Sequence, residues 1–254
     1  MADLEIDNIF LSFGGLKVLE NVSLRVSSGE LFALIGPNGA GKTSVFNCIS
    51  GIYQPSDGQI RFETQSLLGL SPHEIASMGI VRTFQHGELL GEMSVIDNLL
   101  AGRHAKITTH LLGEALFLPS VRREEIRNRE VVERIIEFVE LERFRHTPVG
   151  SLPFGIQKIT GFARALAAEP KILLLDEPSA GLNRDEREDL ARFILRIKHE
   201  LGIPMIWIEH DMQMVGDLAD RIQVLDYGKT IAMGVPEEVL TNQQVINAYL
   251  GVEG

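Results

Sequence analysis

Leu31-Phe32-Ala33-Leu34-Ile35 runs without a break into Gly36-Pro37-Asn38-Gly39-Ala40-Gly41-Lys42-Thr43, and Ser44-Val45-Phe46-Asn47 follows. Five apolar residues in a row read as a strand covered on both faces. The next eight fit the pattern G-x-x-x-x-G-K-[ST], placed after a strand and before a helix. Each residue type has a physical reason. Gly39 and Gly41 let backbone N–H groups turn towards an anion with no Cβ in the way. A helix starting near Gly41 aims its positive end at the same point. Lys42 reaches terminal phosphates, the Thr43 hydroxyl can ligate Mg2+, and Ser44 adds a further contact. Gly36, Pro37, Asn38 and Ala40 complete the loop. An incidental glycine-rich turn is the competing reading, and the strand and helix around the loop oppose it.

A second apolar run, Ile172-Leu173-Leu174-Leu175, ends in Asp176-Glu177-Pro178. A buried strand that ends in two carboxylates is costly without a cation or a catalytic purpose. Asp176 is suited to hold Mg2+ through water, and Glu177 to polarise an attacking water as general base. A third run, Met205-Ile206-Trp207-Ile208, leads to Glu209-His210-Asp211. In open α/β sheets ligands bind at the carboxyl ends of parallel strands, where these groups emerge.

Helical patterns lie between the strands. Leu190, Phe193, Ile194, Ile197 and Leu201 recur at three and four residues and form one apolar stripe. Asn183 can cap that helix, with Asp185 and Glu186 in its positive first turn. Residues 4–35 and 58–84 carry short β-like runs. Residues of about 86–165 are mainly helical, with Ile126, Val132, Ile135, Ile136 and Val139 as one buried stripe. The expected fold class is therefore α/β: a parallel-sheet core with short β-like runs, in residues 1–85 and 166–254, and an inserted mainly helical subdomain. Ile222 to Asp226 and Thr230 to Gly234 flank Tyr227-Gly228-Lys229 as a hairpin.

Bulk properties exclude several classes. The 254 residues suffice for one large domain or a core with a subdomain. With 44% hydrophobic and 23% charged residues the chain is of ordinary globular composition. The net charge of −11 repels phosphate backbones, so nucleic acid is disfavoured as a partner. The Arg- and Glu-rich segment 121–145 cancels itself and reads as a solvated helix face, with pairs such as Glu125–Arg129 and Glu130–Arg134. A single cysteine, Cys48, rules out a disulfide within the chain, and buried packing is its expected role. The N-terminus shows no signal-peptide pattern. No apolar run nears the ~20 residues of a membrane helix, so any membrane part must come from partners.

Taken together, the phosphate loop, Leu-Leu-Leu-Asp-Glu-Pro at 173–178 and the later His210 resemble the ATP-binding subunits of ABC transporters. The resemblance covers nearly the whole chain and implies a P-loop NTPase (RecA-like) parallel-sheet core with an antiparallel β subdomain and an inserted mainly helical subdomain. It implies that Phe13, beside Gly14, stacks on adenine. It implies that Gln85, within Val81-Arg82-Thr83-Phe84-Gln85, touches Mg2+ and the membrane partner, and that His210 contacts the γ-phosphate. Ser179-Ala180-Gly181-Leu182-Asn183 matches the loop that crosses the dimer interface. The segments SFGGLKVLENVSL, GPNGAGKTSVFNCISG, GIVRTFQHGELLGEMSVIDNLL and the tail NAYLG are similar to the branched-chain amino acid importers of that family. The implied cofactors are ATP and Mg2+. The implied partners are transmembrane permease subunits, a second ATP-binding subunit and an extracytoplasmic substrate-binding protein, at the cytoplasmic face of the cell membrane.

One segment departs from the family pattern. Where a Leu-Ser-Gly-Gly-Gln signature is expected, the chain reads Ser151-Leu152-Pro153-Phe154-Gly155-Ile156-Gln157. Pro153 lacks both a hydroxyl and a backbone N–H. A hydrogen bond to a charged group is worth roughly 1.5–3 kcal/mol, so losing one or two weakens a phosphate site about tenfold or more. An asymmetric heterodimer is the resulting expectation: this chain's own phosphate loop is active, and the site completed by Pro153 is weaker. The alternatives are a nucleotide-dependent dimerisation clamp that hydrolyses poorly, a soluble ABC ATPase outside transport, and a small-molecule kinase sharing the phosphate loop.

Overall fold

The computed structural model describes residues 4–83, 89–106 and 119–250. The chain divides into two compact units, residues 1–82 with 171–254, and residues 83–170.

The first unit holds two sheets. One has the order β2-β1-β4-β5, built from β1 (Leu4–Phe13), β2 (Leu16–Val26), β4 (Asp57–Phe62) and β5 (Gln65–Ser66), with antiparallel pairings throughout. Its alternation changes phase at two asparagines. Leu4 and Ile6 are buried, then Ile9 and Leu11, and Asn8 between them sits at φ 48°. Asn21 at φ 59° does the same for Leu19 against Val22. Asparagine tolerates this left-handed backbone better than most residues, so it suits a bulge.

The other sheet has the order β10-β9-β3-β8-β7-β6, from β3 (Leu31–Ile35), β6 (Ile80–Thr83), β7 (Ile172–Asp176), β8 (Met205–Ile208), β9 (Arg221–Asp226) and β10 (Lys229–Gly234). β3 pairs in parallel with β8 and β9, and β7 in parallel with β8. β3, β7 and β8 are buried at every residue, as their unbroken apolar runs require. Phe32, Leu34, Leu174, Ile206 and Ile208 join one core with Val45, Phe46, Cys48 and Ile49 of α1 (Lys42–Ile49). Trp207, the chain's one tryptophan, is fully buried in β8 beside Ala33 and Leu175.

The structure refines or corrects several sequence expectations. The short β-like runs expected within residues 58–84 are present as β4, β5 and β6, and between them Ser71 and Glu74 form a capping box and Pro72 opens the helix α2 (Pro72–Ser77). The hairpin turn has two residues rather than three, since Lys229 already pairs with Asp226. Tyr227 and Gly228 both take positive φ, at 43° and 77°, as a type I′ turn requires. The stripe of the helix after Asn183 stops early. Leu190, Phe193, Ile194 and Ile197 are buried, but Leu201 is 46% exposed. The helix tail 197–201 is wound as a π-helix, and its wider turn rotates Leu201 off the stripe.

The second unit is helical, with α3 (Val95–Gly102), α4 (Pro119–Phe138) and α5 (Phe154–Ala167) packed on one another. Gly102 allows the close approach of α3 and α5, because a Cβ there would lie 2.6 Å from the Arg164 carbonyl oxygen. Buried Arg103 donates to Asn128 Oδ1 and to the Ala167 carbonyl. Val132, Ile136 and Val139 are buried as expected, whereas Ile126 is 50% exposed. Among the described residues no helix is long and apolar enough to cross a membrane.

Candidate functional site

The register of the parallel strands sets the site. Leu34 pairs with Ile208, and Asp176 with Ile208, so β3, β8 and β7 end level. The segments that leave them carry Gly36 to Thr43, Glu177, and Glu209 with His210.

The loop after β3 depends on its glycines. A Cβ on Gly36 would lie 2.0 Å from the Leu225 carbonyl oxygen, and Gly36 sits at φ 146°. Gly41, at φ 103°, packs against Leu19 and Val18, with its Cβ position 2.8 Å from Leu19 Cδ2. The hairpin turn fastens the loop from outside: Gly228 N–H donates to the Ala40 carbonyl, and Glu20 N–H donates to the Gly228 carbonyl. Gly41 is the N-cap of α1 and brings no side-chain cap, and the first turn has no acidic residue. That end therefore offers N–H donors and a positive dipole to an outside anion. Lys42 is buried, and its Nζ arches back to donate to the carbonyls of Gly36 (2.7 Å) and Pro37 (2.9 Å). Burial holds its pKa below the usual lysine value, against the opposing pull of the Glu177 and Asp176 carboxylates. An ammonium held by two carbonyls beside two carboxylates has donors suited to a polyphosphate. Thr43 and Asn38 are exposed at the loop, Pro37 and Ser44 are partly so, and Ala40 is buried.

Asp176 is 4% exposed. Its Oδ2 accepts from Arg82 Nη2 at 2.5 Å, and Arg82 Nη1 donates to Asn47 Oδ1 at 2.7 Å. Asp176 Oδ1 is buried with no protein partner. A buried orphaned carboxylate oxygen near the Lys42 ammonium fits a divalent cation or its water. Among the described residues no group of three or more His, Cys, Asp or Glu forms a cage. The donor set of one carboxylate and the Thr43 hydroxyl suits Mg2+, which keeps waters and takes the rest of its ligands from substrate phosphates.

Glu177 follows at φ 45°, a left-handed backbone that costs a non-glycine residue about 1 kcal/mol or more. Its N–H donates to the Ile208 carbonyl, and its carbonyl accepts from Ala180 N–H. The side chain is partly exposed and Oε1 lies 2.9 Å from His210 Nε2. A partly exposed carboxylate with one oxygen against an imidazole can take a proton from water. Glu209, between strand and histidine, is 2% exposed and accepts from Ser179 N–H and His210 N–H. Asp211 caps α7 (Met212–Leu218) and accepts from Arg187. Asn183 forms the expected capping box, with Glu186, at the start of α6 (Arg184–Arg196).

Phe13 is 48% exposed at the end of β1 and meets Tyr53 edge-on, with ring centroids 5.0 Å apart. It is open to a planar ligand. Gln85 lies outside the described residues. Cys48 is buried, and burial pushes its thiol up to about 12, so it is packing and not a nucleophile. Sequence reasoning missed Arg82, Tyr53, Glu209 and Tyr249. Tyr249 lies in the last described helix (Gln243–Leu250); burial pushes its phenol up to about 12, and a hydrogen bond from the Gly36 backbone opposes the shift. No spacing rule links residues 36 and 249. Arg82 carried a fainter signal, being a charge inside an otherwise β-like run.

In the second unit, Pro153 is the N-cap of α5 (φ −53°, ψ 148°) and makes no side-chain cap hydrogen bond. Gln157 Nε2 instead donates to the Leu152 carbonyl at 2.8 Å. Gly155 is buried, Phe154 is half exposed, and the Lys158 ammonium lies 5.5 Å from the Phe154 ring centre.

Comparison with known proteins gives a consistent result. The family model described as ABC transporter matches residues 19–180, and that described as branched-chain amino acid ATP-binding cassette transporter matches residues 229–254. The chain is 41% identical over 248 residues to the high-affinity branched-chain amino acid transport ATP-binding protein BraF of Pseudomonas aeruginosa, covering 98% of this chain and 97% of the relative. It is equally similar, over the same shares, to the LivG protein of Escherichia coli, which carries the same description. A probable LivG of Archaeoglobus fulgidus is 35% identical, covering 100% of this chain and 97% of that protein. Among solved structures, an ATP-binding cassette of an ABC transporter in its ADP conformation aligns with a TM-score of 0.86 and 33% identity, over 99% of each chain.

Proposed function

That the chain belongs to the ABC transporter family, as an ATP-binding and ATP-hydrolysing subunit, is the premise from which we propose that it powers the import of branched-chain amino acids through membrane subunits supplied by other chains. One observation carries the chemistry: Lys42, Asp176, Glu177 and His210 stand at the level carboxyl ends of β3, β7 and β8. The substrate class rests on the names of the relatives and on the match at 229–254.

In this reading the loop 36–43 and the open start of α1 hold the ATP phosphates, with Lys42 and Ser44 on them and Phe13 stacked on adenine. Thr43, Asp176 and Gln85 would hold Mg2+, which would supply positive charge against the phosphates. Glu177 takes the proton of the attacking water, and His210 meets the γ-phosphate while holding Glu177 in place. A second ATP-binding subunit completes the site through its own signature loop. Permease subunits read out the motion at the cytoplasmic face of the membrane, and an extracytoplasmic binding protein delivers the substrate.

The test is reconstitution with the cognate membrane subunits and binding protein in liposomes, followed by ATP-driven uptake of labelled leucine, isoleucine and valine. Hydrolysis coupled to uptake of another solute would overturn the substrate class. Phosphate release as fast in Glu177→Gln as in the unsubstituted chain would overturn the assigned base.

The uncapped Pro153 favours a second element, an asymmetric pair of sites. Placing Glu177→Gln in this chain should cost more hydrolysis than the matching change in the partner subunit. Equal losses would remove the asymmetry.

A further inference from the structure

Glu209 is a buried carboxylate that none of the roles above uses. It is 2% exposed and, among the described residues, has no cationic partner. An ionised carboxylate is costly to bury, so the groups that compensate it show what it is there to hold. Both are backbone. Oε1 accepts from Ser179 N–H at 3.1 Å, across thirty positions of sequence, and Oε2 accepts from His210 N–H at 2.8 Å. Charge-assisted bonds of this kind are the stronger ones, and each carboxylate oxygen is committed.

These two bonds lie beside a third link, from Glu177 N–H to the Ile208 carbonyl. Together they join the turn after β7 to the turn after β8. The joint frames the contact between His210 Nε2 and Glu177 Oε1 at 2.9 Å. Ser179 is also the first residue of the loop that ends in the Asn183 cap, and its carbonyl accepts from Leu182 N–H within that loop.

We propose that Glu209 is a positioning residue, a clamp that makes Ser179 and the His210 backbone one rigid piece, so that a second subunit pressing on loop 179–183 moves His210 relative to Glu177. The inference rests on the roles given above to Glu177 and His210. The side chain does not touch the reacting atoms. It acts through the histidine, and an amide in its place cannot do the same: glutamine turns an NH2 donor towards one of the two N–H groups.

The experiment uses the full chain in its assembled complex. Glu209→Gln should lower kcat for ATP hydrolysis about tenfold with KM for ATP within about twofold, and Glu209→Asp, which keeps the charge, should recover most of that loss. In a His210→Ala background Glu209→Gln should cost less than about twofold more, because the residue acts through that histidine. Equal fold-losses in both backgrounds, or an unchanged kcat, would overturn the clamp. Amide exchange without nucleotide reads it directly, whether or not the variants hydrolyse ATP. Faster exchange at Ser179 or His210 in Glu209→Gln, with α1 unchanged, supports the proposal, and unchanged exchange at both defeats it. Absent hydrolysis in the unsubstituted chain would count against the functional reading and leave the exchange result to decide this one.

Discussion

The helix that begins at Lys42 and the helix that begins at Phe154 both lack a side-chain cap, yet they reach that state in opposite ways. Gly41 opens α1 in a left-handed conformation that no side chain would favour, and Gly36 and Gly39 in the loop before it also take positive φ. Pro153 opens α5 in an extended conformation natural to proline. The first end is kept vacant by a constraint. The second has lost donors without gaining any. The helices that begin at Pro72 and Arg184 are closed in the ordinary manner, by Ser71 with Glu74 and by Asn183 with Glu186. A missing cap therefore marks a functional end only when the surrounding backbone is committed to the vacancy, as it is at Gly36, where no Cβ fits.

The sharpest way to break the comparison is at Lys42. Lys42→Ala should cut ATP hydrolysis by about a hundredfold or more, since it removes the buried charge to which the proposed function assigns the terminal phosphates. Phosphate release at saturating ATP measures it; a loss under tenfold would place the anion elsewhere.

The far end of the same helix is sealed, and alkaline pH probes the seal. Cys48 titrates near 12 in the folded protein, above its ordinary value. Between those values the unfolded chain has lost the proton and the folded chain has not, so stability falls as pH rises. The slope from this group approaches about 1.4 kcal/mol per pH unit above pH ~9. Urea midpoints from pH 8 to 10.5 should drop less in Cys48→Ala than in the natural sequence. A thiol reagent should react with Cys48 only on unfolding.

Asn183→Ala supplies the yardstick. Losing the cap should cost about 1 kcal/mol and lower Tm by roughly 2–4 °C. The smallest effect is expected at Pro153→Ser. A serine cap contributes about 1 kcal/mol, while losing the ring's stiffness in the unfolded chain takes back roughly 0.4–1 kcal/mol. Tm should stay within about 2 °C, and hydrolysis at the site this loop completes should rise. A gain in Tm without a gain in hydrolysis would make Pro153 a structural variation only.

Sequence patterns made the central strands legible because β3, β7 and β8 are buried on both faces and each ends in residues whose chemistry is specific. The loop 36–43 was readable for the same reason: its demands are local. Harder to see were features that depend on register or reach. The π-turn that exposes Leu201 leaves no mark on a three-and-four spacing. Short α2 hid inside a β-like stretch, although its capping box is spelled out at Ser71 and Glu74. Arg82, Glu209 and Tyr249 escaped because their partners lie 94, 30 and more than two hundred positions away. Pairings of that kind are made by the fold and not announced by the motif.

The hairpin at Tyr227 and Gly228 has a consequence for how the protein is made. The loop 36–43 leaves the ribosome early, but the parts that shape it arrive last: Leu225 over Gly36, Gly228 under Ala40, and Tyr249 against the Gly36 backbone. Even β3 waits for its two neighbours, which come from residues 205–226. A nascent chain of the first two hundred residues thus has the nucleotide motif in writing and no mould to set it in. The packing that shapes the nucleotide loop is therefore complete only once the last hairpin has formed, and a chain cut short before it lacks those contacts.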